Sequence, residues 1–135
     1  MKKSLAPIVI ILIVVSVVFF AIMPSTPQAT KRLQEEISEA VADGKTVFLQ
    51  LSSTGCVTCR KMKPEVEKAL AEFENSNRHK IINIDVNSHK AIASHFAITG
   101  VPTQVILSGE GKEVFRNMGY MSFDNIKYAM TTATK

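Results

Sequence analysis

Residues 46–62 read TVFLQLSSTGCVTCRKM and hold both cysteines of the chain. Thr46 to Leu51 is a short run of apolar and β-branched residues, the pattern of a buried strand. Ser52 to Gly55 then reads as a loop. A helix is predicted from about Val57 to Glu74, because Met62, Val66, Ala69, Leu70 and Phe73 recur on one helical face. Pro64 lies inside that pattern and predicts a kink, since proline removes a donor and crowds the preceding turn. Cys56-Val57-Thr58-Cys59 therefore opens a helix directly after a strand. A disulfide relay needs two thiols close enough to bond, one of them exposed and activated. The helix N-terminus carries about half a positive charge, which stabilises a thiolate at the first cysteine. Arg60 and Lys61 add positive potential nearby. The thiolate is the attacking species in thiol–disulfide exchange.

Outward from this centre, Lys31 to Asp43 is a helix candidate with Leu33, Ile37, Ala40 and Val41 in one stripe, and Gly44 is its stop. Ile81 to Val86 is a second strand, and Ser88 to Phe96 a short helix with Ser88 as its cap. Gly100-Val101-Pro102-Thr103 is a turn into the strand Gln104 to Leu107. Ser108 to Lys112 is a glycine-bearing hairpin loop before the strand Glu113 to Arg116. Ser122 caps a last helix whose Phe123, Ile126 and Met130 face inward. Strand, helix, strand implies a parallel pair with a right-handed crossover, and the hairpin adds antiparallel strands. The fold class is α/β: a central mixed sheet with helices on both faces.

The N-terminal part has another character. Leu5 to Met23 is an uncharged run of 19 residues, long enough to cross a hydrocarbon core of about 30 Å. Pro27 stands at the −3 position of the nearest cleavage point, after Ala29, and spoils it. Residues 1–23 are therefore expected to be an uncleaved transmembrane helix, 24–30 a linker, and 31–135 the folded domain. Lys2 and Lys3 before the run favour a cytoplasmic N-terminus, with the domain on the periplasmic or outer side of the membrane. The net charge is +4, but the 16 Lys and Arg include Lys2 and Lys3, so 14 remain beyond residue 30 against all 12 Asp and Glu. Those charges are scattered and accompany no aromatic array, which argues against nucleic acid as a partner.

Other chemistry for the cysteine pair has less support. Haem attachment needs His after the second cysteine, and the residue is Arg60. A zinc or copper carrier would have to recruit His89 and His95, far in sequence and pointing apart on a short helix. His79, His89 and His95 are read as exposed polar positions, and no metal ligands are assigned.

Gly100-Val101-Pro102-Thr103 gains weight from its place after the C-x-x-C unit, since a turn entering a strand is a natural site for a cis X–Pro bond. With these motifs in order, the sequence resembles the thioredoxin family over nearly all of Lys31 to Lys135. The resemblance rests on TVFLQL, on Cys56 to Met62, on Pro64 five residues past Cys59, on Ile84-Asp85-Val86, on the Gly-Val-Pro-Thr turn and on Gly119. It implies a thioredoxin fold and a thiol–disulfide oxidoreductase whose only redox group is the Cys56–Cys59 disulfide. It implies that Cys56 attacks and Cys59 resolves. It further implies that Val101, Pro102, Gly55 and Gly119 border the groove for an extended substrate, and that Pro102 keeps metals from the thiols. The departures fall on tuning positions. Gly55 replaces the family's tryptophan, Val57-Thr58 its Gly-Pro, and Gln50 its buried aspartate; Arg60 follows the pair. Expected partners are protein thiols and disulfides, reduced or relayed, with a membrane thiol carrier as electron donor; a metal carrier using the same cysteines and a non-catalytic interaction module of the same fold are the alternatives.

Overall fold

The computed structural model describes residues 9–16 and 27–133. Eight elements follow one another in the expected order: α1 (Gln28–Ala42), β1 (Thr46–Ser52), α2 (Val57–Phe73), β2 (His79–Asp85), α3 (Lys90–His95), β3 (Thr103–Leu107), β4 (Glu113–Met118) and α4 (Phe123–Thr132). The strands form one mixed sheet in the order β2-β1-β3-β4. β1 runs parallel to β2 and antiparallel to β3, and β4 is antiparallel to β3.

β1 shows no polar alternation because both faces of the sheet are covered. Val47, Leu49 and Leu51 join Ile82, Ile84, Val105 and Leu107 in one core, closed by Ile37 and Ala40 of α1 and Ile92 of α3. Phe48 and Ile106 point the other way, into a second core with Met62, Val66, Ala69 and Phe73 of α2 and Ile126, Ala129 and Met130 of α4. α2 carries Pro64 in its interior without ending there. Gly44, at φ +73°, follows α1 and donates to the Val41 carbonyl, as a stop residue should.

Several expectations need correction. α1 begins at Gln28, inside the stretch 24–30 expected to be a linker. Pro27 accepts from Thr30 and Lys31, and Thr30 is buried with its hydroxyl 2.9 Å from His89 Nδ1. The apolar stripe begins only at Leu33, so it could not report this first turn. Ser88 does not cap α3: the cap position is His89, and the Asp85 carboxylate instead accepts from the Asn87 and Ser88 backbones. His79 is buried rather than exposed, at the start of β2 against Phe73, and His89 is half-buried; His95 is exposed as expected. Among the described residues no helix is long and apolar enough to cross a membrane. The expected anchor is described only over residues 9–16, which are helical and exposed; the rest of residues 1–23 lies outside the described residues.

Candidate active site

Cys56 is the residue that begins α2. Its backbone is still extended, at φ −85° and ψ 115°, so its side chain folds back over the first turn. The Cys59 N–H donates to Cys56 Sγ at 3.0 Å, the contact a serine or aspartate makes at a helix start. Cys56 and Cys59 form a disulfide. Cys56 is partly accessible, whereas Cys59, one turn in, is only 8% exposed. Between them Val57 and Thr58 point outward, Val57 being 57% exposed. On reduction the same N–H would hold a thiolate at Cys56, adding a direct donor to the dipole of α2. Arg60 is held beside the loop by its donation to the Thr54 carbonyl at 3.3 Å.

A second segment closes the site. The Val101–Pro102 peptide bond is cis, and the Val101 carbonyl oxygen lies 3.7 Å from Cys56 Sγ. Pro102 is buried, and its carbonyl accepts from the Gly119 N–H at 2.8 Å. Gly119 has φ +110°, a conformation that L side chains rarely adopt, so this position calls for glycine. The structure therefore unites Cys56, Cys59, Val101, Pro102 and Gly119 at one end of the sheet, with Gly55 exposed in the preceding loop.

Beneath Cys59 polar side chains meet apolar ones, Val66 and Leu70 of α2 among them. Gln50 is 3% exposed and lines a cavity of about 340 Å³ together with Cys59, Arg60 and Asp85. Its amide nitrogen is 3.8 Å from Met62 Sδ, and its Oε1 has no partner among the described residues. Directly across from it on β3 stands Gln104, fully buried, a residue that sequence reading did not single out. Gln104 Nε2 donates to the Gly119 carbonyl at 3.2 Å, and its Oε1 accepts from Asn117 Nδ2 at 2.6 Å. It ties the strand leaving Pro102 to the Gly119 turn. The available signal was a glutamine inside an otherwise apolar strand, TQVIL.

A family model described as thioredoxin-like domain matches residues 33–134. The chain belongs to the thioredoxin-like family. Over 90 residues it is 29% identical to a thioredoxin of Mycoplasma genitalium, covering 67% of this chain and 84% of that one. It is 40% identical over 75 residues to protein disulfide-isomerase A4 of Bos taurus, a match that spans 55% of this chain and only 12% of that protein. The solved structure of a mutant thioredoxin from Halobacterium salinarum superposes with a TM-score of 0.64 at 26% identity, covering 75% of this chain and 85% of the other. The thioredoxin fold seen here thus carries the disulfide where its C-x-x-C opens a helix. The zinc or copper set considered from the sequence is not assembled: among the described residues no three His, Cys, Asp or Glu side chains form a metal-holding group. His89 instead meets Thr30, and His95 stacks edge-on against Phe96.

Proposed function

We propose that this thioredoxin-like protein is a thiol–disulfide oxidoreductase that reduces or relays disulfides of proteins on the outer side of the cytoplasmic membrane. The observation that carries the reading is the geometry at the first cysteine: the Cys59 N–H lies 3.0 Å from Cys56 Sγ, with the Val101 carbonyl oxygen 3.7 Å from the same sulfur. In the reduced protein the Cys56 thiolate attacks one sulfur of a substrate disulfide. A mixed disulfide forms and the other substrate sulfur leaves as a thiolate. Cys59, having lost its proton, attacks Cys56 Sγ. The Cys56–Cys59 bond forms and the second substrate thiolate departs. The oxidised pair must then be reduced, and a membrane thiol carrier is the donor suited to that side. Val101 offers its backbone to an extended substrate segment, while Gly55 and Gly119 leave the groove open. Pro102 separates the thiols from metals. Exposed Val57 and Thr58 in place of Gly-Pro, and Gln50 beneath the pair, set its rate and potential. The outer location is supported by the apolar run Leu5 to Met23 behind Lys2 and Lys3, read as an anchor.

The test is disulfide trapping in native membranes. Cys59→Ser should accumulate mixed disulfides with partner proteins, because the resolving thiol is gone, and Cys56→Ser should not. Equal trapping by both variants, or by neither, would reject the assignment; the trapped partners identify the substrates.

A further inference from the structure

We propose that Asp85 is the proton acceptor for Cys59, reached through water in the cavity under the disulfide; the proposal rests on the oxidoreductase reading above. The resolving step requires Cys59 to lose a proton from a site that is almost fully buried. The residue nearest in kind to a base, Gln50, cannot serve, since an amide does not accept a proton at neutral pH.

The sheet places an alternative close by. The parallel register pairs Gln50 with Asn83 and Ser52 with Asp85. Alternation puts these four on the face covered by α2, because their neighbours Leu49, Leu51, Ile82 and Ile84 belong to the opposite core. One step further down the strands the same face turns apolar, with Phe48 paired to Ile81. The polar side chains of this face therefore gather at the ends of β1 and β2, under α2, where Val66 and Leu70 line the remainder of the same cavity. All four residues line the cavity of about 340 Å³ that Cys59 also lines. A cavity needs only about 30 Å³ of liquid volume per water molecule, so a short chain of waters fits. The unpaired Oε1 of Gln50 is an acceptor waiting for such a donor, since buried acceptors are ordinarily satisfied. Asp85 is fixed at the far side: its Oδ1 accepts from the Asn87 N–H at 2.8 Å and the Ser88 N–H at 3.1 Å.

The other charged groups lining the cavity are Arg60, Lys63 and Glu67. Glu67 is exposed on the outer side of α2 and paired with Lys63 at 3.8 Å, whereas Asp85 is half-buried and belongs to the sheet. The step balances. The Cys59 proton passes through water to the Asp85 carboxylate, the Cys59 thiolate displaces the substrate sulfur from Cys56, and the departing thiolate takes up a proton from solvent.

The experiment forms a mixed disulfide of Cys56 with a chromogenic aromatic thiol in acid and follows release of that thiol after a jump to neutral pH. Asp85→Asn keeps the acceptor for Asn87 and Ser88, and denaturant melts confirm that the variant is folded. Release should slow by about a hundredfold, the lower end for a positioned general base, and should become first-order in hydroxide. Adding Gln50→Asp to Asp85→Asn should restore the rate with a new titration in its pH profile. Release at the parental rate in Asp85→Asn overturns the proposal, as does a loss seen in Glu67→Gln instead. Failure of the parent to form any mixed disulfide at Cys56 overturns the oxidoreductase reading itself, and this inference with it.

Discussion

Gln50 stands out at the scale of single residues. A carboxylate at this position would face the cavity shared with Cys59 and could accept its proton directly or through water. The present amide leaves one buried acceptor unpaired but carries no charge to desolvate. Gln50→Asp should therefore destabilise the domain at neutral pH by about 2 kcal/mol, the scale for a buried polar group without its full set of partners, because burial disfavours the charged carboxylate. It should also speed decay of the mixed disulfide. Denaturant melts and single-turnover decay measure the two effects on one sample, and an unchanged pH–rate profile would remove Gln50 from the path to Cys59. That Gln50 stands where the family has an aspartate follows from the resemblance of the sequence to thioredoxins. That its Oε1 has no partner among the described residues does not, because the partners a buried acceptor meets come from other strands and helices.

Among the elements, the junction between α2 and α4 shows how a helix start is stabilised from elsewhere. Ser122 caps α4 by accepting from the Asn125 N–H, as its place in the sequence implies. The Phe123 N–H donates instead to Glu65 of α2 at 2.9 Å, across a separation no local pattern reveals. That bond, with help from Lys68, holds the Glu65 carboxyl below its ordinary value of 4.5. A depressed acid stabilises the fold above its unfolded pKa and loses that contribution as the pH falls through the folded one. Glu65→Gln should lower the thermal midpoint at neutral pH, and the gap from the parent should close in acid, below about pH 4.5. A gap that stays constant with pH would mean the carboxylate charge contributes nothing. The end of α3 at His95, capped by Phe96, falls where the sequence placed it, but the turn after it runs through Ala97 at φ +49°, which no glycine or asparagine marks.

At the scale of the molecule, His79 joins the start of β2 to α2 and α4. Its ring lies 4.9 Å from that of Phe73, its Nδ1 is 2.9 Å from the Ser76 hydroxyl, and it bonds to the Met130 backbone. Burial, together with neighbouring Arg78, lowers its pKa from the usual 6.5, against the Met130 bond, which raises it. Stability that depends on neutral His79 is complete above pH 6.5 and is lost as the pH falls through the lowered folded value. Melts between neutrality and mild acid should show this loss, and His79→Gln should flatten it at some cost in stability at neutral pH. An equally steep acid limb in the variant would assign the loss to other groups. The largest-scale prediction concerns topology. Protease added to cells with a permeable outer envelope should digest the domain, and the mature protein should retain its first residues. Full protection would reverse the orientation, and a mature N-terminus near residue 30 would remove the anchor.

The amino-acid sequence by itself determined the order of the eight elements, because apolar periodicity and turn residues act over a few positions. It also determined the cysteine pair and its place at a helix start, since C-x-x-C after a strand is a local pattern. The turn at Val101–Pro102 was legible for the same reason. Tertiary structure alone decided what surrounds them. Thr30 belongs to the domain because it meets His89, fifty-nine residues away. Gln104 matters because β3 lies against β1 and beside the Gly119 turn. Asp85 shares a cavity with Cys59 because a parallel crossover sets β2 in register with β1. Each of these depends on contacts between segments distant in the chain. A polar residue in an apolar strand reads the same from sequence whichever neighbour packing finally brings to it.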